Sequence, residues 1–115
     1  MSKSDDQLVE QTARNYFEAW FEADEARMDR VLHPELVKRR ADGELGLLTK
    51  ERMLELTRNG EGREDGADRR LEISVDAVGA HLASATVRSA VYYEVLQLVR
   101  TADGWRIANA LWELT

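Results

Sequence analysis

The sequence predicts an α+β fold in which three N-terminal helices pack on one face of a curved antiparallel sheet. Apolar residues recur at helical spacing over the first third of the chain, whereas the segment from Leu71 onward alternates and is rich in Val, Ile, Tyr and Trp. Because 115 residues suffice for one compact core and not for two, we expect a single domain over residues 1–115, with residues 1–5 as a flexible tail.

The first predicted element is a long amphipathic helix over about residues 6–22, capped by Ser4 or Asp5. Its apolar face consists of Val9, Ala13, Tyr16, Phe17 and Trp20. A second, shorter helix follows the possible cap Asp24, and it must end near His33 because Pro34 disfavours the helical conformation in the residue before it.

A short hairpin is predicted next, with strands at 36–40 and 44–48 around an Asp-Gly turn. Thr49 is a suitable cap for a third helix over 50–59. Glycines and charged side chains then dominate residues 60–70, which predicts a mobile loop. This loop is either a solvated connector or a lid over a binding site.

Three strands are predicted in the second half of the chain, at residues 71–78, 82–100 and 105–114, and they form an antiparallel meander. The length of the middle run suggests a bulge, so the sequence leaves open which of its faces lies inward. In the last strand, alternation places Trp105 and Ile107 on one face and Trp112 and Leu114 on the other. Since both faces carry large apolar groups, we expect a homodimer through the outer sheet face, with Trp112 and Leu114 in the interface.

Charge and composition argue against several classes of partner and site. A net charge of −6 and a pI near 4.9 disfavour nucleic acid and anionic membranes as partners, because both attract clustered Lys and Arg. The chain has no cysteine and only two histidines, far apart in sequence, so we expect no metal site, and we expect no cofactor because no phosphate-binding or redox motif is present. The start MSKSDDQ has no apolar signal-peptide core and no stretch is long enough to span a bilayer, which favours a cytoplasmic location.

Three stretches of the chain resemble the bacterial family of proposed lumazine-binding proteins, within the nuclear transport factor 2-like (NTF2-like, also SnoaL-like) superfamily. They are YFEAWFEADEARMDRVLHPELVKRR, LLTKERMLELTR and LVRTADGWRIANALWE, and the resemblance extends over residues 6–114. HPELVKRR and DGWRIANALWE are its most specific parts. The resemblance implies a cone-shaped α+β fold that encloses a small-molecule pocket between the helices and the sheet.

From this resemblance we expect the first helix to present Tyr16 and Trp20 to the pocket. These two residues are either plain core or a stacking platform for a planar ring. Further candidates for the lining are His33, Arg39, Leu54, Tyr93 and Asn109.

His33 has two competing interpretations. An imidazole at the mouth of a cone is suited to general acid or base catalysis, because its ordinary pKa lies near neutrality. Alternatively, it has a structural role near the C-terminal end of the second helix while Pro34 fixes the turn. The structural role is favoured because the sequence identifies no carboxylate partner for His33. Glu94 and Glu113 stand in apolar runs, where an inward-facing glutamate would be an alternative general base, although an outward position at a sheet edge or dimer rim is favoured for both.

Three functions follow as hypotheses. The first is binding of a small, planar, partly apolar molecule by a homodimeric protein. The second is an isomerase or dehydratase, in which His33 or an inward glutamate moves the proton while Arg39 or Tyr93 steadies developing negative charge. The third is an interaction module whose cone is filled by its own side chains. An inward ionisable pair would favour the enzyme, an open apolar cavity would favour binding, and a filled cone would favour the module.

Overall fold

The computed structural model describes residues 3–63 and 68–115, which form three helices and six strands. These elements are α1 (Asp5–Glu22), α2 (Glu25–Val31), β1 (Leu32–Arg40), β2 (Leu47–Leu48), α3 (Lys50–Arg58), β3 (Glu72–Val78), β4 (Leu82–Arg88), β5 (Tyr92–Thr101) and β6 (Gly104–Leu114). The predicted α+β fold is therefore confirmed. Part of the loop predicted over 60–70, residues 64–67, lies outside the described residues.

The helices begin where the sequence places their caps. Ser4 forms a capping box with Gln7 at the start of α1. The side chains of Asp24 and Thr49 accept hydrogen bonds from the backbone N–H groups of Arg27 and Arg52 at the starts of α2 and α3. Each cap satisfies a donor that has no partner inside its helix, which is why these local signals predict the boundaries well.

The strands form one sheet in the order β2-β1-β6-β5-β4-β3. All neighbouring pairs are antiparallel except β1 and β6, which run parallel, so the sheet is mixed and not purely antiparallel as predicted. A parallel pair requires a long crossover. The chain from β2 to β5 provides that crossover. Local sequence patterns therefore cannot predict the pairing of β1 with β6.

The prediction of one continuous strand over 82–100 is wrong, because a tight turn separates β4 from β5. Ser89 N–H donates to the carbonyl of Tyr92 at 2.8 Å, and Ser89 Oγ accepts the N–H of Tyr92 at 2.9 Å. The serine side chain thus completes the turn, which is a common role of this residue. Tyr92 becomes the first residue of β5.

A β-bulge lies in β6 and reverses the predicted orientation of its end. Ile107 and Asn109 oppose the consecutive residues Leu98 and Gln97, which leaves Ala108 as the extra residue. As a result Ala110 and Trp112 face inward, like Trp105 and Ile107. The prediction that Trp112 lies on the outer sheet face is wrong, since one inserted residue shifts the alternation of every residue after it.

Leu114 shares the face of Trp112 by alternation, so its predicted place in an outer interface is also wrong. It lies at the end of the sheet opposite Tyr92 and is 46% exposed. Below it, the inner face of the sheet carries the core. The helices contribute Val9, Ala13, Phe17, Met28 and Met53, and the sheet contributes Leu32, Ala85, Val87, Leu96, Leu98 and Ile107. None of the helices in the described part of the chain is long and apolar enough to cross a membrane.

Candidate functional site

A cavity of about 250 Å³ opens between the helices and the inner face of the sheet. Its lining consists of Tyr16, Phe17, Trp20, Lys38, Leu48, Met53, Leu56, Glu61, Tyr92, Glu94 and Trp112. Aromatic and aliphatic side chains form most of this wall, and three charged side chains interrupt it. This combination of apolar walls with a few polar groups is typical of small-molecule sites.

The periodicity of three elements brings the polar and aromatic groups together. Tyr16 and Trp20 are four residues apart on α1 and therefore share a face. Lys38 follows buried Leu36 at the strand period of two residues, so it points inward from β1. Glu94 on β5 lies directly opposite Trp112 on β6.

Tyr16, Lys38 and Glu94 form a hydrogen-bonded triad at the wall of the cavity. The Tyr16 hydroxyl donates to Glu94 Oε1 at 2.8 Å and accepts from Lys38 Nζ at 2.5 Å. Lys38 Nζ also lies 3.1 Å from the same carboxylate oxygen. Glu94 is only 2% exposed and Lys38 only 9%. The two charges are buried as a compensated pair, because either one alone would be costly to remove from water.

Burial and the neighbouring Glu94 carboxylate raise the pKa of Tyr16 well above its ordinary value of 10.0. Burial is the larger cause, because it disfavours the charged phenolate. The hydroxyl is therefore protonated at neutral pH and donates its hydrogen bond to Glu94. The triad is a fixed arrangement of one carboxylate, one ammonium and one neutral phenol.

Aromatic rings surround the ammonium of Lys38. Nζ lies 5.1 Å from the ring centre of Tyr16, 5.6 Å from that of Trp112 and 5.9 Å from that of Trp20. The rings are held by each other: Tyr92 packs edge-on against Trp112 at 5.6 Å, and its hydroxyl accepts the indole N–H of Trp20 at 3.4 Å. We call Tyr16, Trp20 and Trp112 the aromatic cage.

Gly62 lies directly against the indole of Trp20, which lines the cavity. A Cβ atom on Gly62 would lie 2.4 Å from Trp20 Cδ1 and Nε1, so only glycine fits against the unmoved indole. Glu61, the preceding residue, is exposed and belongs to the cavity lining. The segment that follows α3 thus packs against Trp20 and fixes the position of its indole.

Two of the residues predicted to line the pocket, Tyr16 and Trp20, do line the cavity; that they bind a ligand stays a prediction. The other five do not lie in its lining. His33 is on β1, where its Nδ1 accepts the backbone N–H of Glu35 at 3.0 Å. Arg39 is exposed because alternation on β1 sends it to the outer face, and its neighbour Lys38 enters the cavity instead.

Tyr93 and Asn109 also lie on the outer face, and Leu54 packs against the core. Arg88 stacks over the Tyr93 ring at 4.2 Å, and the Asn109 amide donates to Gln97 at 3.1 Å. Leu54 is partly buried against the hydrophobic core. Tyr93 and Asn109 lie outside the cavity lining because the facing of β5 and β6 depends on the turn at Ser89 and the bulge at Ala108, whereas Leu54 lies on α3 and is not in the lining.

Lys38 is the functional candidate that the sequence patterns did not select, whereas Glu94 was among the glutamates considered as an inward-facing general base. For each, a usable signal existed: Lys38 stands two residues after Leu36, and Glu94 two residues before Leu96, so both share the face of a buried leucine. A charged residue on the apolar face of a strand points to a buried ion pair. Among residues 3–63 and 68–115, no group of three or more potential metal ligands is present.

The comparison with protein families decides the classification. The family described as "Putative lumazine-binding" matches residues 4–113. The chain belongs to this family. The resemblance read from the sequence is thereby confirmed, and no curated protein sequence matches the chain significantly.

Solved structures with the same fold share little sequence with the chain. An NTF-2 like protein of unknown function from Silicibacter pomeroyi superposes with a TM-score of 0.76 at 13% identity, covering 95% of this chain and 94% of the other. A ketosteroid isomerase-like protein from Erwinia carotovora atroseptica gives a TM-score of 0.70 at 16% identity, covering 98% of both chains. An NTF2-like protein of unknown function in nutrient uptake from Rhodospirillum rubrum gives 0.71 at 17% identity, covering 93% of this chain and 98% of the other. At this identity the likeness establishes the NTF2-like fold.

Proposed function

We propose that this member of the family binds a small, planar, largely apolar molecule in the cavity between the helices and the sheet. The observation that carries the proposal is an open space of about 250 Å³ walled by aromatic rings, with the polar triad on its wall. Planar rings stack favourably on aromatic side chains, and isolated polar groups fix the orientation of a bound molecule.

The size of the cavity limits the ligand. Pockets for drug-sized molecules measure about 300–1,000 Å³, so this one is suited to a ligand of one or two rings. An open cavity also argues against the hypothesis of an interaction module with a filled cone. The family description supports a small ligand without fixing its identity.

Native mass spectrometry tests this function on protein purified from a bacterial host. We expect a small molecule to remain bound under gentle conditions and to be released under denaturing ones. Trp20→Ala should enlarge the cavity and weaken retention of that molecule, whereas Trp105→Phe, which changes a residue outside the cavity lining, should not. Equal retention by wild type and Trp20→Ala would contradict binding in this cavity.

A second candidate function, acid–base catalysis of the isomerase or dehydratase type, is supported by the buried triad. Glu94 is an inward carboxylate within hydrogen-bond reach of Lys38 and Tyr16, which is the arrangement that this hypothesis requires. In this function Glu94 removes a proton from the carbon atom next to a carbonyl group of the substrate. Tyr16 and Lys38 then stabilise the negative charge that develops on the carbonyl oxygen. His33 lies outside the cavity lining and takes no part.

Solvent deuterium exchange distinguishes catalysis from simple binding. With the bicyclic ketone 2-tetralone as the probe, an acid–base enzyme accelerates exchange of the protons next to the carbonyl, which NMR detects. Glu94→Gln should abolish the acceleration while His33→Gln keeps it. No acceleration by the wild type would leave 2-tetralone as a ligand only and would argue against this second function.

We also propose that the chain forms a homodimer through the outer sheet face, by other residues than those first predicted. Val37, Leu47 and Leu111 are exposed there, at 36%, 53% and 47%. Leu47 and Leu111 oppose Arg39 from the strands on either side of β1, and together with Val37, two residues earlier on β1, they form a partly apolar face around that arginine. A second copy would cover it. The cytoplasmic location and the single-domain organisation stay predictions from the sequence.

A further inference from the structure

The position of Lys38 is that of a ligand in a cation-binding site. Aromatic cages hold ammonium groups by placing them within about 6 Å of several ring centres, because the ring faces carry partial negative charge. Lys38 Nζ satisfies this distance for all three rings of the aromatic cage, at 5.1, 5.6 and 5.9 Å. Glu94 supplies the counter-charge at 3.1 Å.

The cage is therefore filled by a residue of the chain itself. Lysine is suited to this place because its ammonium is compact, whereas the planar guanidinium of arginine is larger. Only three of the sixteen basic residues in the sequence are lysines, and one of them occupies this position. Because Lys38 and Glu94 form an ion pair, their charges cancel and the triad has no net charge.

We propose that Lys38 determines the charge of the ligand: the cavity accepts uncharged planar molecules and rejects cations. A cationic ring would compete for the same ring faces and the same carboxylate, both of which Lys38 already occupies. An uncharged ring does not need the carboxylate and fills the remaining space against Trp20, Tyr92 and Trp112. This inference rests on the proposed binding function and names the ligand class within it.

Removal of the lysine side chain should invert this selectivity. Lys38→Ala empties the cage and leaves the Glu94 carboxylate without its partner. A carboxylate that is buried without a partner is destabilising, so a ligand cation that enters the cage restores the lost pairing. The variant becomes a site for alkylammonium or heteroaromatic cations.

Two ligands of nearly equal shape test the inference: uncharged 1-methyl-2-quinolone and the cation 1-methylquinolinium, titrated by calorimetry. We expect the wild type to bind the quinolone about tenfold or more tightly than the quinolinium. Lys38→Ala should gain about tenfold or more for the quinolinium, and Lys38→Ala/Glu94→Gln should lose that gain. Lys3→Ala changes an exposed lysine near the N-terminus that does not line the cavity, so this variant should keep the preference of the wild type.

A second measurement covers the case in which Lys38→Ala is too unstable to titrate. Its melting temperature should be higher in methylammonium chloride than in sodium chloride of equal ionic strength, and that difference should be absent in the wild type. Equal binding of both probes by the wild type, or no gain for the cation and no methylammonium effect in Lys38→Ala, would overturn the assignment. If neither probe binds the wild type, the proposed function fails for two-ring ligands, and the methylammonium experiment alone then decides the role of Lys38.

Discussion

Tyr16 is the residue at which burial and charge act together. An unfolded chain releases the phenol proton near pH 10.0, whereas the folded protein retains it, because its pKa in the folded state is raised. Tyr16 therefore contributes stability that is complete below pH 10 and is lost as the pH rises further. The free energy of unfolding should therefore decrease above pH 10.

Replacement of Tyr16 by phenylalanine should have two opposite consequences. At neutral pH we expect a loss of about 1–3 kcal/mol in the free energy of unfolding, since Glu94 and Lys38 each lose a hydrogen-bond partner. Above pH 10 the stability of the variant should fall less steeply than that of the wild type. Urea denaturation across this range measures both effects, and parallel curves would contradict the raised pKa.

Gly62 offers a test of how Trp20 is held. Alanine at this position would place its Cβ 2.4–2.5 Å from three indole atoms, so Trp20 must move and the cavity must change shape. We expect a shifted tryptophan emission spectrum and about tenfold weaker binding of an aromatic ligand, equivalent to about 1.4 kcal/mol.

Gly46→Ala is the matched control for this change. A Cβ on Gly46 would meet no atom within 4 Å, so the substitution should leave emission and binding as in the wild type. Identical behaviour of Gly62→Ala and Gly46→Ala would show that Gly62 does not position Trp20.

At the scale of elements, the start of α1 is fixed to the far end of the sheet by Asp5. Its carboxylate accepts hydrogen bonds from Arg100 at 2.6 Å and from the Trp105 indole at 3.4 Å. The hydrogen bond from Arg100, helped by that from Trp105, lowers the pKa of Asp5 below its ordinary value of 3.8. The stability from this contact is therefore complete above pH 3.8 and is lost as the pH falls through the lowered pKa.

Asp5→Asn should melt at a lower temperature than the wild type at pH 7. Because protonation removes the same charge, the two melting curves should converge as the pH falls below about 4. Asp6→Asn changes the adjacent exposed carboxylate and is the control, with melting close to the wild type at both pH values. A constant difference between Asp5→Asn and the wild type down to pH 2 would contradict the lowered pKa.

Elements could be predicted where their causes are local. The caps Ser4, Asp24 and Thr49 act within a few residues, so the helix boundaries follow from short patterns. The parallel pairing of β1 with β6 and the bulge at Ala108 depend on partners distant in the chain. Local alternation contains no information about such partners.

The same difference explains which site residues could be predicted. Tyr16 and Trp20 lie on a helix whose face is fixed by its own period, and both were placed in the cavity. Trp112 was placed on the wrong face because one bulged residue reverses a strand. The sequence prediction selects Arg39 in place of Lys38, although Lys38 stands two residues after Leu36 and shares its buried face of β1.

At the scale of the whole molecule, the two faces of the sheet have different roles. The inner face carries the core at one end and the cavity at the other, and the helices cover it. The outer face has no helix among the described elements, and it exposes Val37, Leu47 and Leu111 around β1. An apolar area that remains exposed on a sheet is a typical site of association between copies.

This leads to the prediction that Leu111→Glu yields a monomer in light scattering where the wild type is a dimer. In a two-fold interface the substitution places two carboxylates in the apolar area, and we expect Kd for dissociation to rise roughly a hundredfold, about 2.8 kcal/mol. Since Leu111 is 47% exposed within the chain, melting of the monomer itself should change little. Leu8→Glu introduces the same charge at an exposed site on α1 and should remain dimeric, so a dimer in both variants would exclude the outer face as the interface.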